Sequence, residues 1–141
     1  MAENKTESCI FCKIANGTIP SYKVYEDNDI IAFLDVNPVS KGHTLVLPKE
    51  HIRNITTCPK DLLDKAFRVA QLIAQAEITQ LGASGVNVIT NCGAAAGQSV
   101  DHFHIHVIPR FENDGLKLGF EPGKLEDADM KQICYSIKEG I

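Results

Sequence analysis

The sequence predicts an α+β fold with a five-stranded, mainly antiparallel sheet, one long helix and a C-terminal helix. Two observations predict this class. Short runs rich in β-forming residues come both before and after a single long stretch with helical periodicity, and tight turns join the early runs. The chain also has no GxGxxG fingerprint and no Walker loop, which excludes Rossmann and P-loop nucleotide sites as far as a sequence can.

The first third of the chain predicts a helical turn followed by three strands. Residues 9–16 can form the short helix, which Gly17 ends. Asp27-Asn28-Asp29 and the stretch 37–42 supply the turns between strands. The strand-like runs, which alternate or are rich in β-forming residues, cover residues 22–26, 30–35 and 43–47.

The central part of the chain predicts the long helix. Pro59 suits its first position and Gly82 suits its end. Between them, apolar residues recur at spacings of three and four, which places them on one face. These residues are Leu63, Phe67, Ala70, Ile73 and Ala74.

The last third predicts two more strands and the closing helix. Residues 85–91 and 102–108 alternate in polarity, and a loop of small residues, 93–97, lies between them. Residues 111–124 are rich in glycine and irregular. The closing helix is predicted over residues 126–139. Three apolar side chains should face inward from it: Met130, Ile133 and Ile137.

Length and charge limit the function. The chain has 141 residues, which suits one domain, and a formal net charge of -4, which disfavours binding to a nucleic acid backbone but allows a small anionic ligand. The N-terminal stretch MAENKTESC lacks the apolar segment of a signal peptide, and no apolar run reaches the roughly 18 residues of a membrane span. We therefore expect a cytoplasmic protein with no nucleic-acid or membrane partner.

Three histidines, His102, His104 and His106, alternate with apolar residues in the segment HFHIHVI. On a strand they would share one face and the apolar residues would face the core. An exposed His-rich strand is the alternative without function. One metal held by all three is disfavoured, because His102 and His106 would lie roughly 13 Å apart at Cα while zinc-bound nitrogens lie about 3–3.5 Å apart. The three histidines should therefore have different roles.

Nucleophilic catalysis is one such role. A neutral imidazole is a good nucleophile near pH 7, and its attack on phosphorus would split one difficult displacement into two easier ones. His106 can donate a hydrogen bond beside it. The loop that precedes the histidines offers backbone amides, the Gln98 amide and the Ser99 hydroxyl for phosphate oxygens. Small-residue loops of this kind are also common as plain turns.

Five cysteines occur in the chain, and this odd number without an export signal argues against a disulfide framework. They are Cys9, Cys12, Cys58, Cys92 and Cys134. The one tight pair, Cys9-x-x-Cys12, indicates metal or redox chemistry in a reducing compartment.

The segment 102–108 matches the histidine triad pattern, in which three histidines alternate with apolar residues. Four more segments resemble the usual landmarks of that family, in their usual order: 10–14 (IFCKI), 32–36 (AFLDV), 42–48 (GHTLVLP) and 97–100 (GQSV). The chain thus resembles the histidine triad (HIT) superfamily over residues 9–110, and within it the bacterial-style Hint-type nucleotide-binding proteins. The resemblance implies a HIT-like fold in a single domain, residues 1–141 with a C-terminal extension from residue 111, and a homodimer that pairs through the long helices and sheet edges.

The resemblance also implies catalytic roles. His104 would be the nucleophile that becomes adenylylated, and His106 would contact the phosphate and assist the leaving group. Ser99 would hydrogen-bond the phosphate or the leaving side. His43 would support the triad from the opposite side.

A purine-nucleotide site is implied in the same way. Asp35 and Val36 would contact the ribose, and Asn91 would approach the phosphate. Three apolar side chains would wall the base pocket: Phe11, Ile14 and Phe33. The loop residues Gly97, Gln98 and Ser99 would complete the site with His106. Without the resemblance, the three apolar residues would be interpreted as core and Asp35 as a turn-forming residue.

His102, left without a role in this scheme, completes a possible metal site. Cys9, Cys12, His51 and His102 form a Cys2His2 set, which is a natural ligand set for zinc. Some members of the superfamily carry zinc at this place, whereas many eukaryotic Hint proteins lack the cysteine pair. We expect a structural zinc. The alternative is two buried free cysteines and a surface histidine.

The predicted activity is that of a nucleotide hydrolase or transferase, acting at the α-phosphate of purine nucleotide derivatives such as AMP-amine phosphoramidates or dinucleoside polyphosphates. Two alternatives stay open: a non-catalytic nucleotide-binding or scaffold protein, and a Fhit-like dinucleoside polyphosphate hydrolase. Pro109-Arg110 would suit the Fhit-like branch, whereas the cysteine-containing N-terminal segment favours the Hint type. The sequence does not indicate the natural leaving group.

Overall fold

The sheet of this protein has five strands in the order β1-β2-β3-β5-β4, and every neighbouring pair is antiparallel. A computed structural model describes residues 7–141, so part of the polar N-terminal stretch lies outside the described residues. The strands are β1 (Lys23–Glu26), β2 (Ile30–Leu34), β3 (Thr44–Pro48), β4 (Gly85–Ile89) and β5 (Ile105–Arg110). The helices are α1 (Ile10–Ala15), α2 (Lys60–Leu81) and α3 (Asp127–Glu139), with 3-10 turns at Ile55–Thr57 and Ala94–Ala96. The predicted fold class is confirmed.

Helix α2 begins and ends near the predicted residues. Pro59 is its N-cap rather than its first helical residue, and Gly82 ends it in the left-handed conformation with φ 72°. The predicted inward face is partly wrong, because Phe67 is 37% exposed while Ala66 and Val69 are buried. The small side chains at the buried positions let the helix approach the sheet closely, and this rotates the larger Phe67 to the flank.

Two apolar clusters lie on opposite sides of the sheet. Helix α2 packs on one side against β2, β3 and β5, where Val46, Ile105 and Val107 are fully buried. Helix α1 packs on the other side against Leu45 and Leu47 of β3 and their neighbours in β2. Alternate residues of β3 and β5 therefore face different compartments of the protein.

The histidine segment is only half strand, which corrects the predicted strand over residues 102–108. Strand β5 begins at Ile105, where the pairing with β3 begins, and the pairing with β4 begins at His106. The preceding residues bond elsewhere: the Phe103 amide donates to the Ile52 carbonyl at 2.6 Å. The predicted alternation still holds, since Phe103 lies in the cluster under α2 while the His102 and His104 rings lie beside Phe11 of α1.

The C-terminal extension forms the predicted helix but not the predicted packing. Met130, Ile133 and Ile137 are 54%, 44% and 60% exposed, so the expectation that they face inward is wrong. Every residue of helix α3 is exposed, so its apolar side chains are not buried against the sheet. Between residues 7 and 141, no helix is both long and apolar enough to cross a membrane.

Candidate active site and metal centre

His104 presents one defined nitrogen to solvent. Its Nδ1 lies 2.7 Å from the carbonyl oxygen of His102. A carbonyl can only accept, so Nδ1 carries the hydrogen and the lone pair of the neutral ring lies on Nε2. Among the described residues, the only fully buried side-chain nitrogen or oxygen without a partner is Glu77 Oε1. The unpartnered Nε2 of His104 is therefore open to solvent, although the residue is only 4% exposed.

His106 is held in the opposite tautomer by a chain of hydrogen bonds. The Val39 amide donates to His43 Nδ1 at 3.2 Å, so the hydrogen of neutral His43 lies on Nε2. His43 Nε2 lies 2.9 Å from His106 Nδ1 and donates to it. The hydrogen of His106 is then on Nε2, which makes that atom a donor. The His104 and His106 rings lie 4.9 Å apart, so a lone pair and a donor stand side by side.

The surroundings keep these rings neutral. Burial lowers the pKa of His104, of His43 and, to about 4, of His106. Asp35 opposes the shift, since its carboxylate Oδ2 lies 3.8 Å from His43 Nε2 and favours a charged ring. Neutral imidazoles at pH 7 can act as nucleophile and hydrogen-bond donor without first losing a proton.

The predicted metal ligands come together in the structure. Cys9 and Cys12 of the α1 segment meet His51 and His102, and all four ligand atoms lie within 4.8 Å of one another. Cys9 Sγ and Cys12 Sγ lie 3.4 and 3.5 Å from His102 Nδ1, and Cys12 Sγ lies 3.3 Å from His51 Nδ1. Ligands around a tetrahedral zinc, with bonds of about 2.0–2.3 Å, are separated by similar distances.

Chemistry as well as spacing suits a metal. His102 Nε2 donates to the Pro48 carbonyl at 2.8 Å, which leaves the Nδ1 lone pair facing the thiols. The Cys12 amide donates to Cys9 Sγ at 3.4 Å, a contact that favours a thiolate. Burial and the neighbouring Cys9 raise the pKa of Cys12 to about 12 in the absence of a cation. The set could hold a metal ion whose charge would stabilise two thiolates.

The predicted base residues lie on the same side of the sheet as His104, and Asp35 lies beside His43. Phe11 packs edge-on against both His104 and Phe33, with ring centroids 5.0 and 5.8 Å away. Phe11 and Phe33 are buried in the cluster under α1, and Ile14 packs against it half-buried. Asp35 follows β2, where its Oδ1 accepts from the Asn37 amide at 2.8 Å and forms a turn. Val36 beside it is 76% exposed.

The loop before the histidines is braced internally. Gln98 Oε1 accepts from the Gly93 amide at 2.8 Å, and its Nε2 donates to the carbonyls of Arg53 and Val100. The amides of Gly97 and Gln98 are also used within the turn.

Ser99 and Asn91 keep their polar groups available. The exposed Ser99 hydroxyl has no partner within residues 7–141, and it lines a cavity of about 290 Å³ together with Cys9 and His51. Asn91 is half-buried, and its Nδ2 lies 3.9 Å from where a Cβ on Gly97 would be.

Sequence reasoning missed the backbone groups that set the histidine tautomers. The carbonyls of Pro48 and His102 and the amide of Val39 give no side-chain signal. Thr90 was also missed. Its hydroxyl donates to the His104 carbonyl at 2.7 Å and so connects the residue before β5 to the end of β4. A β-branched hydroxyl residue directly after the end of a strand carries no distinctive pattern.

The chain is similar to proteins of one family over most of its length. A family model described as the HIT domain matches residues 16–113. The crystal structure of a HIT family protein from Bacillus subtilis is 42% identical, covers 95% of this chain and 97% of its own, and has a TM-score of 0.89. A Zn-bound histidine triad family protein from Mycobacterium smegmatis is 36% identical, with coverages of 93% and 99% and a TM-score of 0.76. Adenylylsulfatase HINT3 from Arabidopsis thaliana is 36% identical over 94% of this chain and 73% of its own length.

Proposed function

The chain belongs to the HIT family, and we propose that it hydrolyses or transfers purine nucleotide derivatives at the α-phosphate through a nucleotidyl-His104 intermediate. Membership of a family with nucleotide hydrolases, together with the adenylylsulfatase relative, indicates nucleotide hydrolase activity. The observation that carries the finer proposal is the hydrogen bond from His104 Nδ1 to the His102 carbonyl, because it leaves the nucleophilic lone pair on the solvent-facing Nε2.

In the first step, His104 Nε2 attacks the α-phosphorus and the bond from phosphorus to the leaving group breaks. The leaving group departs with that electron pair: sulfate and polyphosphate leave as stable anions, and an amine takes up one proton. In the second step, water attacks the same phosphorus and the N–P bond returns its pair to Nε2. An amine takes its proton from solvent in the first step, and the attacking water returns one proton to solvent in the second. His106 Nε2–H donates to the phosphoryl oxygens in both steps.

The nucleotide would lie along the side of the sheet covered by α1. Asp35 Oδ2 is not used by the turn that engages Oδ1, which supports its assignment as acceptor for ribose hydroxyls. Val36 is exposed beside it for contact with the sugar. The wall of the base site would be formed by three apolar side chains: Phe11, Ile14 and Phe33. Purines should be preferred because the larger ring buries more apolar area.

Loop 97–99 would meet the phosphate and the leaving group. The Ser99 hydroxyl and the half-buried Asn91 amide are available for that contact, since neither has a partner in the described chain. Gln98 is used to hold the loop. We propose that Gly97 and Gln98 determine the shape of the phosphate site. Ser99 would form the hydrogen bond to the phosphate or the leaving group.

Cys9, Cys12, His51 and His102 would hold a structural zinc. Their donor set and spacing fit that ion, and the relative from Mycobacterium smegmatis is Zn-bound. Bound zinc would keep both thiolates ionised and fix α1 to the segment that carries His104. No step of the reaction requires it.

We further propose a homodimer formed through α2 and the edge strand β4. Phe67 and Val88 are 37% and 45% exposed and line one apolar surface with Leu63 and Ala74. Sedimentation at micromolar concentration should give about twice the 15.4 kDa monomer mass. A monomer under those conditions would remove the dimer and leave the catalytic proposal intact.

The test of the activity compares four substrates: an AMP-amine phosphoramidate, diadenosine tri- and tetraphosphate, and adenosine 5′-phosphosulfate. We expect turnover of at least one, with an intermediate trapped by alkaline quench that is heavier than the protein by one adenylyl group and absent from His104→Ala. The ratio of kcat/KM values then identifies the leaving group. AMP binding with background rates on all four would instead establish the non-catalytic binding protein, and a preference for the two dinucleotides would establish the Fhit-like alternative.

A further inference from the structure

A second cavity lies under the opposite flank of α2 from the Phe67 surface. It measures about 520 Å³, within the usual range for small-molecule sites, and its walls are formed by α2, β1, β2 and the start of β3. The walls are mainly apolar and include Val24, Leu34, Leu72 and Leu81. One acidic side chain, Glu77 of α2, is part of this lining and plays no role in the proposed reaction.

No hydrogen-bond donor in the described chain serves the Glu77 carboxylate alone. The residue is 4% exposed, and its Oε1 is fully buried with no partner in the described part of the chain. Its Oε2 lies 3.3 Å from the Thr44 hydroxyl. That hydroxyl has one hydrogen and a nearer acceptor, the Gly42 carbonyl at 2.8 Å. A buried carboxylate without hydrogen-bond donors lowers the stability of the folded protein. A ligand that donates a hydrogen bond to Glu77 would remove this penalty.

The other polar groups around the cavity do not supply that donor. Tyr25 lines it, but its hydroxyl donates to Asp27 at 2.6 Å. Lys41 and Gln80 also line it, and neither donates to Glu77. Lys41 is exposed and is the only basic group among the lining residues. Burial accordingly raises the pKa of Glu77 to about 7, opposed only by Thr44.

We propose that this cavity binds a small organic ammonium compound, with its hydrocarbon body against the apolar walls and its ammonium group on Glu77. A cation with several N–H groups matches an unpartnered carboxylate better than a neutral alcohol does, because it compensates charge as well as hydrogen bonding. An anionic ligand is disfavoured at the same place, and a purely apolar ligand would leave Glu77 unsatisfied.

This site is separate from the histidine site. Thr44 faces α2 and Glu77, whereas the adjacent residues His43 and Leu45 face the α1 side, where His43 contacts His106. The sheet lies between the two sites. A ligand on Glu77 should therefore bind whether or not His104 carries a nucleotide, and failure of the proposed activity would not affect this test.

Phenethylamine is a suitable probe, with 2-phenylethanol as its neutral counterpart. We expect calorimetry at pH 8 to show millimolar or tighter binding of the amine to the whole protein. Glu77→Gln, which keeps the shape of the side chain, should weaken the amine about ten- to hundredfold and reduce its preference over the alcohol. Glu121→Gln, which removes an exposed charge from the C-terminal extension, should leave binding unchanged.

Two further readouts locate the site without relying on a variant. Methyl NMR shifts caused by the amine should cluster at Val24, Leu34 and Leu72. The carboxyl carbon of Glu77 should titrate at lower pH in the presence of the amine, so amine affinity should rise between about pH 6 and pH 8 as Glu77 ionises.

Lys41→Met should leave binding equal or tighter, because it removes the competing cation.

Four results would overturn the proposal, and the first three concern the amine and Glu77. They are the absence of amine binding at millimolar concentration, equal affinity of wild type and Glu77→Gln, and shifts centred on the histidines instead of the cavity. Weaker binding to Lys41→Met would also contradict it, because the ligand would then depend on an anionic group paired with Lys41.

Discussion

His102 and His104 are two residues apart and both are buried, yet they present opposite nitrogens. The Pro48 carbonyl takes the Nε2 hydrogen of His102 and leaves Nδ1 facing two thiols. The His102 carbonyl takes the Nδ1 hydrogen of His104 and leaves Nε2 facing solvent. The candidate metal centre and the candidate active site are therefore built from the same residue type in two tautomers. Which nitrogen the backbone occupies determines what each imidazole can do.

The largest effect should follow from removing the free Nε2. His104→Ala should lower kcat/KM by at least about a thousandfold, because no neighbouring group can form the covalent intermediate. AMP should still bind, and metal content should match wild type. The measurements are steady-state kinetics and intact mass after alkaline quench. An AMP adduct on His104→Ala would assign the nucleophile to another residue.

The role of His102 as a metal ligand is tested through metal content and stability. His102→Ala removes one of four proposed ligands, so zinc should fall below one per chain and the free energy of unfolding should drop by several kcal/mol. Cys12→Ser should behave similarly. Cys58→Ser is the matched control, since it changes a partly buried thiol outside the cluster. Metal analysis and denaturant titration report both quantities. Equal zinc loss from His102→Ala and His104→Ala would contradict the division of roles.

The sequence predicted the order and type of the elements because β-rich runs, Pro59, Gly82 and the turn residues are local signals. The four candidate ligands that the structure brings together were predicted from their thiol and imidazole side chains, whereas the role of His104 as nucleophile rests on the resemblance and stays a prediction. The start of β5 was misplaced, since alternation continues through Phe103 although its amide bonds to Ile52 outside the ladder. The tautomer of His102 depends on the Pro48 carbonyl, which comes from 54 positions away in the chain. No side-chain pattern encodes that contact.

A smaller effect is expected at His43, which contacts His106. His43→Ala removes the donor to His106 Nδ1, so His106 is no longer held with its hydrogen on Nε2. We expect kcat to fall roughly 10- to 100-fold, as for other residues that orient a functional imidazole, while KM changes little. Rapid-quench measurement of adduct formation and decay gives the affected step. Unchanged kcat would show that the His106 tautomer does not matter.

Asp35 should affect binding more than chemistry. Asp35→Ala should weaken AMP by roughly 1–3 kcal/mol, the range for a lost hydrogen bond to a charged group. Asp35→Asn is the control that keeps an oxygen for the Asn37 amide and so preserves the turn. It should retain the wild-type melting temperature while losing part of the affinity. Calorimetry that gives equal AMP affinity for all three proteins would remove Asp35 from the ribose site.

The tautomers themselves can be measured by long-range ¹H–¹⁵N NMR of the histidine side chains in the zinc-loaded protein near pH 7.5. We predict that His104 shows a protonated Nδ1 and a bare Nε2, that His106 shows the reverse, and that Nδ1 of His102 carries the shift of a metal-bound nitrogen. A His104 ring with its hydrogen on Nε2 would contradict the account, because the atom assigned to attack phosphorus would then have no lone pair to offer.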